Sequence, residues 1–240
     1  MYKTIFFDLD GTLLPMDFNY FSTNYFGRLT KACSHVLDAN TFPKHLWAST
    51  EAMIRDNCAE KTNQEVFMED FIPRFNLPAD QLMPLFDQFY ATEFPELISC
   101  TSPTPLARKI CQELVEKGYQ LVLATNPIFP DAATAHRMRW AGIDDIPWAL
   151  VTTYEHCHFC KPNPNYYHEI LQRVGAKAEE TLMVGNDTHE DLVARKLGIK
   201  TYLVKDNLID HGEKDYETDF EGRLEDFLNF ARQLPKLKQP

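Results

Sequence analysis

The chain is short of positive charge. Its 240 residues include 24 Lys and Arg against 35 Asp and Glu, which gives a formal net charge of −11. No segment concentrates Lys and Arg, whereas proteins that bind nucleic acids or anionic membranes use such clusters to contact phosphate groups. The composition therefore predicts no nucleic-acid partner and no membrane partner.

Long apolar runs are also missing. No stretch is apolar for the roughly 20 residues that a membrane-spanning helix needs. The residues Met1-Tyr2-Lys3 lead directly into a strand-like segment and lack the features of a secretory signal peptide. We expect a cytoplasmic protein, and the sequence carries no signal for an oligomeric state.

Cysteine pairs are scarce. The six cysteines are scattered, and only Cys157 and Cys160 have Cys-x-x-Cys spacing. Such a pair can form half of a zinc site or a redox couple, but no second pair accompanies it. We expect ordinary reduced thiols in a reducing compartment.

What the chain does contain, from residue 120 onward, is an alternation of apolar strand-like runs with helical patterns. The strand-like runs are 121–124, 149–153, 181–184 and 201–204, and the helical patterns are 131–141, 166–174 and 190–197. This alternation predicts a Rossmann-like α/β domain in which helices cover both faces of a parallel sheet. Ligands of such sheets bind at the carboxyl ends of the strands.

The pattern differs between residues 16 and 99, where aromatic-rich segments have helical spacing and no strand pattern is present. The segments are 20–37, 45–58, 63–75 and 79–92, and Pro43, Pro78 and Pro95 lie between or beside them. We predict a smaller helical domain over 16–99, inserted into an α/β domain formed by 1–15 and 100–240. Most of its aromatic residues are expected to pack the helices together.

The most informative segment is 4–14, where an apolar run ends in two aspartates. Residues two apart in a strand point the same way, so Asp8 and Asp10 can flank one ligand. Carboxylates this close repel each other, and a hard divalent cation is the usual remedy. Gly11 lets the backbone turn and expose amide groups, and the Thr12 hydroxyl suits a bound oxyanion. The alternative is an ordinary strand followed by an Asp-Gly turn.

Two later segments also place polar residues near strand or helix ends. Thr125 and Asn126 follow the apolar run 121–124, and the Thr125 hydroxyl can donate a hydrogen bond to a phosphate oxygen. Lys161 precedes Pro162, which restricts the backbone and would hold the lysine beside a phosphate. Each segment also has an ordinary interpretation, as a turn or as a surface lysine.

The acidic loop after residue 184 holds three carboxylates within five residues, namely Asp187, Glu190 and Asp191. This density predicts a metal site. The alternative is that these carboxylates cap the helix that follows.

In their order and spacing, the segments beginning at Asp8, Thr125, Lys161 and Gly185 resemble the four signatures of the haloacid dehalogenase (HAD) superfamily. Members of this superfamily mostly transfer phosphoryl groups through an aspartate, and the resemblance covers the whole chain. It implies that Asp8 is the nucleophile and that the helical insertion is a cap over the active site. The implied phosphate-binding residues are Gly11, Thr12, Thr125, Asn126 and Lys161.

The resemblance also implies a Mg²⁺ cofactor, held by an Asp8 carboxylate oxygen, the Asp10 backbone carbonyl and a residue of the last signature. In the common pattern the metal-binding aspartate follows the glycine directly, whereas Asn186 follows Gly185 here. The ligand is therefore either Asn186 or Asp187. We favour Asp187 because Mg²⁺ prefers carboxylate oxygens.

The implied function is magnesium-dependent hydrolysis of a small phosphorylated metabolite through an aspartyl phosphate, with Asp10 as general acid and base. Asp191 is expected to orient Lys161 or a metal-bound water. A phosphomutase would keep the same residues, and a non-catalytic phosphate-binding protein would have no need of paired aspartates. A haloacid dehalogenase is disfavoured because that branch of the superfamily lacks the second aspartate, which is Asp10 here.

Overall fold

The computed structural model describes residues 1–75, 77–212 and 216–237. Within these ranges, the protein is built on a six-stranded sheet of parallel strands in the order β3-β2-β1-β4-β5-β6. The strands are β1 (Thr4–Phe7), β2 (Gln120–Leu123), β3 (Leu150–Val151), β4 (Thr181–Gly185), β5 (Lys200–Val204) and β6 (Phe220–Gly222). The predicted parallel α/β fold class is confirmed.

Helices cover both faces of this sheet. The α-helices of the described chain are α1 (Phe18–Cys33), α2 (Phe42–Arg55), α3 (Asn63–Phe71), α4 (Ala79–Thr92), α5 (Pro105–Glu116), α6 (Asp131–Ala141), α7 (Pro164–Val174) and α8 (Leu224–Gln233). Side chains alternate along a strand, so Ile5 and Phe7 share one buried cluster with α5, α6 and α8, whereas Phe6 shares another with α7. No helix among the described residues is long and apolar enough to cross a membrane.

The register of the central strands brings their carboxyl ends together. β1 lies between β2 and β4, and Phe7 is aligned with Leu123 on one side and with Val184 on the other. The loops that follow β1, β2 and β4 therefore begin at one level of the same sheet edge. Ligand sites of parallel sheets form at this edge.

The helical insertion predicted at 16–99 contains α1 to α4, and a 3₁₀ segment, Phe94–Cys100, ends one residue beyond that predicted boundary. Met16 pairs with Thr101 in an isolated bridge, so the chain leaves the sheet and returns to it at adjacent points. Buried residues of the insertion, such as Phe21, belong to the same apolar cluster as one face of the sheet. The division into two domains stays a prediction.

Some helix boundaries differ from the predicted ones. Helix α2 begins at Phe42 rather than at residue 45, because Pro43 lies in its first turn, where the missing N–H breaks no helical hydrogen bond. Helix α3 ends at Phe71 and continues as a 3₁₀ turn, Ile72–Arg74, that contains Pro73. The predicted helix at 190–197 is a 3₁₀ helix, Leu192–Leu197.

Three elements were not predicted, namely α5, β6 and α8. Helix α8 carried a usable signal, since Leu224, Phe227, Leu228 and Ala231 are buried at the spacing of one helix face. Strand β6 carried none, because it has three residues at the edge of the sheet and Phe220 is 37 % exposed.

We expect Phe94→Ala to lower the free energy of unfolding by about 3–5 kcal/mol, the usual cost of removing a buried aromatic ring. Phe94 is fully buried and its ring contacts Phe21 of α1 and stacks on Trp140 of α6. The measurement is urea denaturation followed by circular dichroism. The matched control is Phe220→Ala at the exposed sheet edge, for which we expect a loss of less than about 1 kcal/mol. Equal losses in the two variants would contradict this account of the core.

Candidate active site

Asp8 lies at the carboxyl end of β1 and is fixed by the neighbouring strand. Its backbone N–H donates a hydrogen bond to the carbonyl of Val184 in β4 at 2.9 Å. The side chain is buried, and its Oδ1 accepts a hydrogen bond from Lys161 Nζ at 2.8 Å. No described residue hydrogen-bonds its Oδ2, and Asp8 lines a cavity of about 610 Å³. One carboxylate oxygen is thus positioned by a cation and the other is unengaged.

Asp10 is paired with a buried arginine that sequence analysis missed. Its Oδ2 accepts a hydrogen bond from the guanidinium of Arg137 in α6. Arg137 is fully buried, donates to Thr134 Oγ1 at 3.1 Å, and lies 4.6 Å from the centre of the Phe129 ring. Burial raises the pKa of Asp10, and Arg137 opposes this shift. The other oxygen, Asp10 Oδ1, is buried with no hydrogen-bond partner among the described residues.

The turn after Asp10 holds the acidic loop against β1. Gly11 has φ +80°, and a Cβ there would lie 2.3 Å from Asn186 Nδ2, so only glycine permits this approach. Thr12 Oγ1 donates to Asn186 Oδ1 at 2.9 Å, and Asn186 Nδ2 donates to the carbonyl of Asn207 at 2.6 Å. The Thr12 hydroxyl is therefore already hydrogen-bonded to Asn186, a residue of the last signature. A role for Gly11 and Thr12 in phosphate binding stays a prediction.

Lys161 is fully buried between two carboxylates. Its Nζ lies 2.8 Å from Asp8 Oδ1 and 2.6 Å from Asp191 Oδ1. Burial lowers the pKa of Lys161, but Asp191 and Asp8 outweigh it and hold that pKa well above its usual value. Gly185 makes room for this arrangement, since a Cβ there would lie 2.0 Å from Asp191 Oδ2. The structure thus places Asp191 where it can orient Lys161.

Burial also raises the pKa of Asp8, to about 7. Lys161 opposes the shift, and the nearby carboxylates of Asp191 and Asp10 add to it. Burial and the neighbouring carboxylates therefore disfavour the ionised form of Asp8, the nucleophile predicted from the sequence, and a further positive charge would favour it.

Thr125 and Asn126 follow β2 and face the same cavity. The Thr125 carbonyl accepts hydrogen bonds from Thr152 Oγ1 at 2.6 Å and from Tyr166 Oη at 2.8 Å, which fix the backbone. The Thr125 hydroxyl has no described partner. Asn126 accepts from the Lys161 N–H at 3.1 Å and donates to Glu190 Oε1 at 3.0 Å, so it joins two of the loops.

The cavity has an excess of negative charge. The carboxylates that line it belong to Asp8, Asp10, Asp17, Asp187, Glu190 and Asp191. Their buried cationic partners in the described chain are Lys161 and Arg137. Burial raises the pKa of Glu190 to about 8, and neighbouring carboxylates add to that shift. Such an excess fits a site for a divalent cation.

The donor set is one that suits Mg²⁺. Among the described residues, no three His, Cys, Asp or Glu side chains are arranged to hold a metal by themselves. Mg²⁺ is usually bound through one or two carboxylates and completes its shell with waters and substrate phosphate oxygens. Asp8 and Asp10, with an oxygen from the last signature, fit that description.

Asn186 and Asp187 both line the cavity. Asp187 Oδ1 accepts hydrogen bonds from the backbone N–H groups of His189 and Glu190, each at 2.8 Å, and its Oδ2 lies 2.9 Å from His211 Nε2. The carboxylate is therefore held in one orientation. Which of the two residues binds a metal stays a prediction.

Sequence analysis missed Arg137 and His211 and gave Glu190 no role. The position of Arg137 could have been recognised from its spacing. It lies four residues from Ala133 and four from Ala141, and all three residues are buried on α6. A lone arginine at a buried helical position implies a buried acidic partner. His211 lies in a loop without a recognisable pattern, so the sequence offered no signal for it.

Cys157 and Cys160 are buried free thiols. Burial raises the pKa of Cys157 to about 12 and the pKa of Cys160 well above its usual value. The protonated thiol is the weaker nucleophile and metal ligand.

Comparison with known proteins agrees with the architecture. The glyceraldehyde 3-phosphate phosphatase of Methanothermobacter thermautotrophicus is 28 % identical over 235 residues, covering 90 % of this chain and 92 % of that protein. The phosphoglycolate phosphatase of Vibrio parahaemolyticus is 26 % identical over 209 residues, covering 83 % of this chain and 82 % of that protein.

A solved structure supports the fold independently. The crystal structure of the HAD phosphatase from Thermococcus onnurineus matches with a TM-score of 0.61 and 17 % identity, covering 98 % of this chain and all of that chain (100 %). The model of one family, described as haloacid dehalogenase-like hydrolase, matches residues 2–206. Since that match spans most of the sequence, the chain belongs to the haloacid dehalogenase-like hydrolase family.

Proposed function

We propose that the protein is a magnesium-dependent phosphatase that hydrolyses a small phosphomonoester through an aspartyl phosphate on Asp8. The observation that carries this proposal is the Asp8 carboxylate, which faces the cavity with one oxygen held by Lys161 and the other unengaged. The two curated relatives described above are named as phosphatases, which supports the reaction class. A cytoplasmic location stays a prediction.

In the first half-reaction, Asp8 Oδ2 attacks phosphorus, a bond forms between them, and the ester P–O bond breaks. Asp10, in its protonated form, gives its proton to the departing oxygen. The raised pKa of Asp10 favours that protonated form before the transfer. Lys161 and the unpartnered Thr125 hydroxyl bind the non-bridging phosphate oxygens, which offsets the negative charge of the phosphate next to Asp8.

In the second half-reaction, a water molecule attacks the phosphorus of the aspartyl phosphate. Asp10, now a carboxylate, takes the proton of this water, and the bond between phosphorus and the Asp8 oxygen breaks. Arg137 holds Asp10 through one oxygen, so the other oxygen remains available for both proton transfers. Inorganic phosphate leaves and Asp8 is regenerated.

The residues that would hold Mg²⁺ are Asp8, the Asp10 carbonyl and Asp187, with Asn186 as the alternative ligand. When bound, the ion supplies positive charge that favours the ionised form of Asp8 and stabilises the charge on the transferring phosphoryl group. Asp191 keeps Lys161 in place beside this site.

A phosphomutase built on the same residues would return the phosphoryl group to a substrate instead of water. The experiment that tests the phosphatase proposal therefore measures the release of inorganic phosphate rather than the loss of substrate.

We expect phosphate release from an alkyl phosphate such as ethyl phosphate at near-neutral pH to require Mg²⁺ and to stop when EDTA is added. Asp8→Asn should reduce kcat by at least about 10³-fold, because an amide cannot form the covalent intermediate. Thermal denaturation should show that the variant is folded. Undiminished turnover in folded Asp8→Asn, or turnover that is unaffected by EDTA, would overturn the proposed mechanism.

We expect Arg137→Lys to lower kcat by about 10- to 100-fold with little change in KM, the usual effect of losing a group that orients a catalytic or ligating residue. The lysine keeps the positive charge but lacks the guanidinium that donates to Asp10 from one nitrogen and to Thr134 from another. The control is Arg139→Lys, two residues along α6, at an exposed position. An unchanged kcat in Arg137→Lys would show that the Asp10 contact has no catalytic effect.

We expect Asp187→Asn to weaken Mg²⁺ binding by about tenfold or more, measured by titration calorimetry. The matched variant is the double exchange Asn186→Asp with Asp187→Asn, which keeps the total charge and moves the carboxylate by one residue. If Asp187 is the ligand, the double exchange should also weaken binding. Binding as tight as in the wild type would identify position 186 as the ligand position.

A further inference from the structure

A second cavity, of about 500 Å³, lies between the helical insertion and the sheet domain. Six residues line both this cavity and the one that contains Asp8, namely Phe18, Asn19, Trp47, Thr50, Ile128 and Phe129. The two spaces are therefore adjacent and share a wall. A ligand that spans both cavities would place its phosphate at Asp8 and its remainder in the second cavity.

The wall of this second cavity is mainly apolar and rich in aromatic rings. Tyr25, Phe67, Phe86 and Tyr90 line it from the helical insertion, and Tyr154 lines it from the sheet domain. The hydroxyl groups of Tyr25 and Tyr90 hydrogen-bond to each other, since their oxygens lie 2.9 Å apart. Their polar atoms are thus partly used within the protein, which leaves the rings as the main contact surface.

An exposed aromatic side chain marks the junction of the two cavities. Trp47 is 52 % exposed, its indole N–H donates to Glu51 Oε1 at 2.9 Å, and its ring lines both spaces. Exposed aromatic rings at the mouth of a cavity are typical of ligand sites.

Positive charge is missing from this lining. No Lys or Arg is found among the described residues that line the second cavity, whereas Asp87 and Glu155 are. Burial and the charge of Arg139 lower the pKa of His136, so this lining residue is neutral at neutral pH. Arg137 is paired with Asp10 and lies on the Phe129 ring. A second anionic group on a ligand would find no cationic partner here.

We propose that the second cavity binds the leaving group of the substrate, and that the substrate is a phosphate monoester of an uncharged, ring-bearing alcohol. This inference rests on the proposed phosphatase function. It disfavours substrates whose leaving group carries a carboxylate or a second phosphate, because such a group would enter an apolar space with acidic neighbours.

The test compares three primary alkyl esters with the same scissile bond: 2-phenylethyl phosphate, ethyl phosphate and phosphoglycolate. We expect kcat/KM for 2-phenylethyl phosphate to exceed the values for the other two by about 10- to 100-fold, the range of discrimination that apolar pockets achieve. Phosphate release with ethyl phosphate or phosphoglycolate as the preferred ester would overturn the inference and leave the phosphatase function intact.

A charge variant tests the location of the leaving group. Ala91 is exposed and lines the second cavity from α4, so Ala91→Arg places a cation there on a helix that tolerates arginine. We expect the preference for 2-phenylethyl phosphate over phosphoglycolate to fall by about tenfold. Gln88→Arg adds the same charge to an exposed position of α4 outside the cavity lining and should leave the preference unchanged. Equal effects of the two variants would overturn the assignment.

Binding without turnover separates the two proposals. With 3-phenylpropylphosphonate and propylphosphonate, which the proposed reaction cannot hydrolyse, we expect calorimetry to show at least about tenfold tighter binding of the phenyl compound. If no ester is hydrolysed but this binding preference is present, the phosphatase proposal fails and the ligand class of the cavity stands. If the two phosphonates bind equally, the cavity assignment fails whatever the enzyme hydrolyses.

Discussion

The arrangement of the site depends on the ion pairs of one buried lysine. Lys161 has no exposed surface and donates to Asp8 from β1 and to Asp191 from the loop after β4. A buried charge without partners costs several kcal/mol, so each member of this group is stable only with the others in place. The segments that carry Asp8, Lys161 and Asp191 are thereby held together at one edge of the sheet. The same contact leaves one Asp8 oxygen unengaged, which is what a nucleophile requires.

A second buried ion pair, between Arg137 and Asp10, fixes another carboxylate of the cavity. Arg137 reaches Asp10 from α6, a helix that otherwise buries small and apolar residues. Because its guanidinium is also covered by the Phe129 ring, the pair is shielded from water, and its electrostatic interaction is correspondingly strong. The two pairs fix both aspartates while the lining of the cavity remains acidic. A bound cation would reduce this excess of negative charge and so allow a phosphate to bind.

The sequence predicted those parts of the molecule that repeat a regular pattern. Strand runs such as 181–184 and the helical spacing of α4 were recognisable because buried faces impose a period on apolar residues. Asp8, Asp10 and Lys161 were identified by their place after strands or before a helix. Arg137 and His211 were not, because their partners lie more than 100 and 20 residues away and only folding brings them together. Strand β6 was missed because a short edge strand with exposed side chains has no apolar period.

The separation of charge between the two cavities explains how one acidic protein can bind an anion and still be selective. Beside Asp8, the buried cations, together with a cation bound by the candidate metal ligands, would compensate the charge of a phosphate, and binding there would depend on charge. In the second cavity the described lining offers rings and two carboxylates but no cation, so binding there depends on apolar area and excludes further anions. The Phe129 ring belongs to both binding environments, because it covers Arg137 and also lines both cavities. A ring-bearing leaving group that packs against Phe129 would therefore also shield the Arg137–Asp10 pair from water, which would couple recognition of the leaving group to the residue proposed to protonate it.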